Sequence, residues 1–361
     1  MDFSAFSLAF SPSHVKKYAR KALPALVVLA LLLGGLSLMG GCSHHNAGVA
    51  LATPVPFPTA TWTPLSPDFP TPTYIPTATY TPTPTQTPSP TPPPTATPKP
   101  GTLSGPVPPI QQAKGRINIM LLGSDQRRGH YDFRTDAIML LSYNPQTGAT
   151  SLISFPRDTY VYLPGMYYQR INTAMEFGGF PLLASTMEYN FGVRPDYYIL
   201  INFIGFQQLI DNLGGVDVYV PRKLCDNRTH YGYYCIGPGT VHMDGSLALW
   251  YARSRKTTSD FDRARRQQDL LLAIIHRLIS FDAFARAPEL YNAYQQMVET
   301  NIGPKDFAAL VTKTTNFSTN GIKTYVLTPP TLIPWRTPQG AYVLLQNYGS
   351  VRNILEEALS R

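Results

Sequence analysis

Ile117-Asn118-Ile119-Met120-Leu121-Leu122-Gly123-Ser124-Asp125 reads as a buried strand that stops at a glycine and delivers an acid into the turn beyond it. A nearly continuous apolar run of this length suits a strand covered on both faces. Residues 137–143 (AIMLLSY) and 151–155 (SLISF) repeat the pattern, and Asn144-Pro145-Gln146-Thr147-Gly148 between them is a turn by composition, which predicts a hairpin. Residues 172–191 are mostly helical in pattern, residues 197–203 (YYILINF) form another central strand, and residues 206–212 a helix stopped by Gly214-Gly215. Residues 216–220 are a further strand, and residues 244–251 a helix with Asp244 as its N-cap. A longer helix over residues 262–279 is apolar at Leu270, Leu271, Ile274, Ile275 and Leu278. Helical pattern continues over residues 289–317, and residues 322–327 (IKTYVL) are a late strand. This alternation, with its early hairpin, predicts an α/β fold: a mixed central β-sheet flanked by helices on both faces.

Between the apolar runs, arginine recurs beside carboxylates and amides: Gly123-Ser124-Asp125, Arg134-Thr135-Asp136, Pro156-Arg157-Asp158, Arg253-Ser254-Arg255 and Arg263-Ala264-Arg265-Arg266-Gln267. Only 14% of the chain is charged, so this clustering needs a cause. Arginine keeps its charge at any working pH and presents a planar fork of donors that matches phosphate oxygens two at a time. Several forks with two aspartates suit a diphosphate and a divalent ion.

Position supports that chemistry. Asp125 falls in the turn after a buried strand, where α/β proteins place ligands. Asp136 stands just before the next strand, so the two carboxylates can meet at one sheet edge and hold Mg²⁺ or Mn²⁺. The alternative is that Asp125 caps a turn and Asp136 pairs with Arg134. Arg157 follows Pro156 at a strand end and can project from the same edge. Arg253 and Arg255 are two apart and point the same way if extended. Arg263 and Gln267 are four apart on a helix and share a face, which Leu271 and Ile274 continue towards the core. A helix that starts polar and turns apolar fits a pocket with an anion-binding mouth and an apolar interior. A surface salt bridge is the expected role of Arg127, Arg128, Arg266 and Arg286.

The 361 residues do not all read as folded. Residues 43–110 form a Pro/Thr-rich linker in which only Asp68 and Lys99 are charged. Such a stretch buries too little apolar surface to offset its ordering entropy, so a disordered, semi-extended spacer is expected. Ahead of it, Lys16, Lys17, Arg20 and Lys21 in a cytoplasmic basic segment (residues 1–21) precede an apolar run within residues 22–42, a signal or membrane anchor that directs the remainder of the chain to the outside. Met39-Gly40-Gly41-Cys42 looks like a lipoprotein cleavage box with Cys42 as the acylated residue; otherwise the anchor stays uncleaved and Cys42 is incidental. Either route predicts a globular part, residues 111–361 with its core at 115–282, tethered at the extracytoplasmic face of the cell membrane. There Cys225 and Cys235 can close a short disulfide loop or remain two thiols. The net charge of +8 rests on arginine clusters and the anchor's flank, which argues for a local anionic ligand and against nucleic acid.

Taken as a set, Leu121-Leu122-Gly123-Ser124-Asp125, Arg134-Thr135-Asp136, Ile153-Ser154-Phe155-Pro156-Arg157-Asp158, Arg170-Ile171-Asn172, Leu213-Gly214-Gly215-Val216-Asp217-Val218, His242-Met243-Asp244-Gly245, Tyr251-Ala252-Arg253-Ser254-Arg255 and residues 262–268 resemble the LytR-CpsA-Psr family. The resemblance implies an envelope phosphotransferase that moves a glycopolymer from a polyprenyl diphosphate carrier to a peptidoglycan acceptor, leaving a phosphodiester. By motif match, Asp125 and Asp136 would bind the divalent ion; Arg134, Arg157, Arg253, Arg255 and Arg263 would hold the diphosphate, with Gln267 orienting an oxygen. Asp125, Arg134, Asp136 and Arg157 would form the catalytic set. Arg170 stands where many relatives have lysine, and Phe133 where glycine is common. The same residues would serve a pyrophosphatase of lipid-linked diphosphates, and a non-catalytic envelope-binding or regulatory module is the third reading.

Overall fold

A computed structural model describes residues 106–126, 133–256, 258–280, 298–313 and 316–361. The basic segment, the anchor with Cys42, nearly all of the linker, Arg127, Arg128 and Arg286 lie outside the described residues. Six strands form one mixed sheet: β1 (Ile117–Ser124), β2 (Thr135–Tyr143), β3 (Thr150–Ser154), β6 (Tyr197–Asn202), β11 (Val298–Thr300) and β12 (Ile322–Val326), in the order β11-β6-β1-β2-β3-β12. β1 and β2 run antiparallel, as do β2 and β3, so the predicted hairpin is present; β1 pairs β6 in parallel and β3 pairs β12 in parallel. Smaller two-stranded units are β4 (Tyr160–Tyr162) with β5 (Tyr168–Arg170), β7 (Val216–Val220) with β10 (Gly239–Met243), β8 (Leu224–Arg228) with β9 (Gly232–Ile236), and β13 (Leu332–Arg336) with β14 (Tyr342–Gln346).

Helices cover both faces. Met120, Leu122, Ile138, Leu140 and Ile153 pack with Leu183, Met187 and Phe191 of α1 (Ala174–Phe191) and with Val351 and Leu355 of α6 (Tyr348–Leu359). The alternate residues Ile119, Leu121, Met139, Leu141 and Ile199 face Leu271 of α4 (Asp260–Ser280) and Leu310 of α5 (Pro304–Lys313). That alternation explains why β1 reads as almost wholly apolar: both pleats are covered. A third cluster joins α2 (Phe203–Asn212), α3 (Gly245–Arg253), α4 and the β7–β10 pair.

Local chemistry sets the element ends. Asn202 caps α2 by accepting from the Gly205 N–H at 2.8 Å, and Asp244 caps α3 by accepting from the Leu247 N–H at 2.7 Å. α4 starts at Asp260, two residues before the sequence expectation, because Ser259 and Asp262 form a reciprocal capping box. Gly245 allows α2 and α3 to touch: a Cβ there would collide with the Gln207 carbonyl. α1 is broken at Gly178 and Gly179. The helical pattern of residues 289–317 is corrected in part: residues 298–300 are strand β11 paired with β6, and α5 covers only Pro304–Lys313. Cys225 and Cys235 form a disulfide across β8 and β9.

Leu140 is wholly buried in the middle of β2. Leu140→Ala is expected to cost about 2–5 kcal/mol, read as a lower midpoint in urea at unchanged slope; a loss under about 0.5 kcal/mol would show that this face is not a close-packed core.

Candidate active site

A cavity of about 1080 Å³ opens between the sheet and the third cluster. Its floor is Leu121, Met139 and Ile199; its walls come from Phe203 and Phe206 of α2, Trp250 of α3, and Leu270, Leu271 and Ile274 of α4. Asp136, Arg253, Arg255, Arg263 and Gln267 line the same hollow, so charge and apolar wall share one space. This is the size range of pockets that bury a whole ligand.

Each polar residue has a local reason for its place. Asp136 is the unpaired residue of a β-bulge: Gly123 faces Ala137 and Ser124 faces Thr135, which leaves Asp136 over. Arg157 reaches Asp136 at 2.9 Å, Asp158 at 3.5 Å and Asp260 at 3.9 Å. Burial works against the Arg157 charge, but these three acids outweigh it and raise its pKa. Arg253 is the last residue of α3, with its guanidinium 4.4 Å above the Phe203 ring. Buried Ser254 caps the helix and donates to the Trp250 carbonyl at 2.7 Å, so Arg253 and Arg255 flank an inward-turned residue rather than lie on a strand.

Arg263 is 7% exposed at its side chain and 3.1 Å from Asp260. Burial, with Arg255 and Arg157 adding repulsion against the pull of Asp260, lowers its pKa to about 10. Asp260, which the sequence analysis missed, is therefore the hub: Arg157, Arg255 and Arg263 all approach it within 4 Å. Its signal was an acid in the first helical turn, three residues before Arg263.

Asp226 was also missed. Its carboxylate accepts from the N–H groups of Arg255 at 2.7 Å and Lys256 at 3.1 Å, holding the turn that carries Arg255. Burial alone would raise the Asp226 pKa; the backbone donors of Arg255, Lys256 and Asn227 outweigh it and keep it below the usual carboxylate value.

Arg134 and Arg266 depart from expectation, and Asp125 takes the turn-capping alternative. Arg134 is exposed and does not line the cavity, whereas its neighbour Phe133, just ahead of β2, packs on the core. Asp125 caps the turn by accepting from the Arg134 N–H at 2.7 Å, while Asp136 pairs with Arg157 rather than with Arg134. Arg266 is not a surface ion pair: it is 7% exposed and donates to the carbonyls of Tyr251 and Ser254 and to the Thr258 hydroxyl. It pins the Arg253–Arg255 turn to α4.

Among the described residues no group of three or more His, Cys, Asp or Glu comes together as a metal cage. Asp125 accepts from the Arg134 N–H and Asp136 from Arg157. One or two such carboxylates, completed by substrate phosphates, are the donor type a magnesium ion takes, in contrast to a protein-only cage.

The Arg263 cation is harder to hold in the fold than in the unfolded chain, a cost present at neutral pH and relieved only as pH rises through about 10. Arg263→Met is therefore expected to keep or raise the melting temperature while removing anion binding in the cavity. A drop of more than about 4 °C, roughly 1 kcal/mol or more for a domain of this size, would make Arg263 a structural residue instead.

A relative from Bacillus mycoides, named polyisoprenyl-teichoic acid–peptidoglycan teichoic acid transferase TagU, is 34% identical over 189 residues, which is 52% of this chain and 60% of the relative. The chain thus spans less than two thirds of that relative's length. Crystallised B. subtilis TagV superposes with a TM-score of 0.57 at 29% identity over 68% of this chain and 98% of its own. The structure of TagT bound to LIIa-WTA gives 0.56 at 27% identity over 68% of this chain and 91% of its own. The LytR_cpsA_psr family model matches residues 91–358, and by that match, laid over a bulged acid, an arginine cluster and one apolar hollow, this chain belongs to the LytR_cpsA_psr family.

Proposed function

We propose that the chain is a phosphotransferase that moves a glycopolymer from a polyprenyl diphosphate carrier to peptidoglycan, working at the extracytoplasmic face of the membrane with residues 22–42 as its tether. The observation that carries this reading is one hollow with two chemistries: Arg253, Arg255 and Arg263 beside Asp136 at the polar part, and Leu121, Met139, Leu271 and Ile274 behind. A diphosphate bearing a long isoprenoid needs both. The relatives' names point to the same substrates.

In the reaction, an acceptor sugar hydroxyl attacks the phosphorus that bears the polymer. The bond from that phosphorus to the bridging oxygen breaks, polyprenyl phosphate leaves, and the polymer ends in a phosphodiester to the acceptor. The transition state is loose, with charge on the equatorial oxygens, so positioning and charge neutralisation dominate. Arg263 and Arg255, drawn together around Asp260, take the diphosphate oxygens; Arg157 bridges from Asp136 to the same cluster. Gln267, one turn past Arg263 on the same face, orients an oxygen. Asp125 and Asp136 would hold Mg²⁺ or Mn²⁺, which supplies further neutralisation on the diphosphate when bound. A loose transition state asks little of a general base, and the hydroxyl proton leaves late to a carboxylate at the mouth.

Incubating the full-length chain in detergent with a lipid-linked oligosaccharide and peptidoglycan fragments should yield a phosphodiester conjugate. Release of free phosphorylated sugar without conjugate would make it a hydrolase, and no consumption of donor a binding module. Arg253→Ala is expected to lower turnover at least 100-fold, about 2.7 kcal/mol of transition-state stabilisation, with a melting temperature within a few degrees of wild type; a large melting shift at unchanged rate would remove Arg253 from the site. Excess chelator should slow transfer, whereas full activity under chelation would take the ion away from Asp125 and Asp136.

A further inference from the structure

Outside the cavity, Trp335, Tyr160, Tyr168, Tyr162 and Tyr189 form an unbroken run of touching rings. Successive centroids are 6.0, 5.7, 5.3 and 5.0 Å apart. None of the five belongs to any of the three hydrophobic clusters, and all are only partly buried. The strand pattern explains the strip: wholly buried Val161 points inward, so Tyr160 and Tyr162 share the opposite face of β4, and Tyr168 pairs directly with Tyr162. The β13–β14 unit adds Trp335, and it is fastened to β4–β5 by a bridge between Thr159 and Leu344 and by the Leu344 N–H donating to the Asp158 carbonyl at 2.9 Å.

The strip abuts the arginine cluster. Arg170, across from Tyr160 in the β4–β5 ladder, lies 3.1 Å from Asp158 and donates to the Tyr342 carbonyl at 2.8 Å; Asp158 is in turn 3.5 Å from Arg157. Arg157 thus stands between two surfaces, the cavity through Asp136 and the aromatic strip through Asp158. A hydroxyl that attacks a phosphorus held by these arginines must arrive from a surface bordering them that the donor does not fill.

We propose that this strip is the acceptor subsite, and that it binds the β-1,4-linked amino-sugar backbone of a glycan strand. The inference rests on the transferase reading for its role, and on the rings alone for its ligand. Aromatic faces carry negative charge and attract the weakly positive C–H face of a pyranose, while the phenol groups of Tyr160, Tyr162 and Tyr189 and the Trp335 indole N–H supply partners for sugar hydroxyls and acetamides. A row of single rings, each roughly one sugar across, fits a linear glycan better than it fits a compact ligand.

The test uses the full-length chain in detergent micelles and chitohexaose, a soluble β-1,4-linked N-acetylglucosamine hexamer, titrated by calorimetry. Trp335→Ala and Tyr160→Ala should each weaken binding at least tenfold, about 1.4 kcal/mol, and Trp335→Phe should recover most of it, at unchanged melting temperature. In the transfer assay Trp335→Ala should raise the acceptor KM tenfold and leave donor KM and kcat at saturating acceptor alone. Wild-type protein that does not bind the hexamer, or Trp335→Ala protein that binds it as well as wild type, overturns the proposal. So does binding to phosphatidylglycerol vesicles through the same rings that the hexamer fails to compete, which would make the strip a membrane surface. If the hexamer binds through these rings yet no transfer occurs with any acceptor, the functional reading falls and the glycan site stands. If transfer runs and the ring variants leave acceptor KM unmoved, the opposite holds.

Discussion

Three guanidinium groups, those of Arg157, Arg255 and Arg263, crowd around the single carboxylate of Asp260. Asp136 and Asp158 help to balance Arg157, but Arg255 and Arg263 share Asp260, and like charges at such range repel. The arrangement persists because each arginine is held from behind. The Ser259–Asp262 box fixes the start of α4, buried Arg266 staples the preceding turn by its carbonyls, and Asp226 grips the backbone of Arg255. The electrostatic strain is spread over rigid elements, and on the proposed function the arriving diphosphate relieves it. Preorganisation of this kind makes a charged site catalytic rather than merely adhesive.

The sheet makes the arrangement possible by doing two jobs with one face. On the α1 and α6 side its side chains join one buried cluster, whereas on the α4 side Leu121, Met139 and Ile199 are partly core and partly cavity floor. α4 has the same division: Arg263 and Gln267 occupy its first two turns, and Leu270, Leu271 and Ile274 the next. Burial of one end of the helix thus fixes the angle at which the other end presents its charges. Gln268, facing the opposite way, donates to the Ser154 hydroxyl and the Tyr325 carbonyl and locks the helix to the ends of β3 and β12.

What could be read directly from the residues was whatever had a period or a cap. The apolar runs of β1, β2, β3 and β6, the Asn144–Gly148 turn, the glycine stop after α2 and the Asp244 cap of α3 come from local rules, and so does the shared face of Arg263 and Gln267. The rest depends on tertiary partners. Arg263 and Arg266 are nearly adjacent in one run of basic residues, yet one faces a cavity and the other a set of backbone carbonyls; helical phase separates them, and only the neighbouring turn decides which face is which. Arg134 carries the same motif chemistry as Arg157 but is exposed, whereas its neighbour Phe133 packs on the core. The short β4–β5, β8–β9 and β13–β14 pairs escaped because strands of three to five residues are too short to show a usable hydrophobic period. β11 was concealed inside a helical pattern because its three residues take their strand state from β6 alone.

One side of the central sheet floors a cavity with Leu121, Met139 and Ile199. An apolar guest bound there adds contacts to these side chains, and stability rises by mass action with the guest's concentration. On the proposed function that guest is the carrier lipid, and the loaded chain opens to proteolysis less often than the unloaded one.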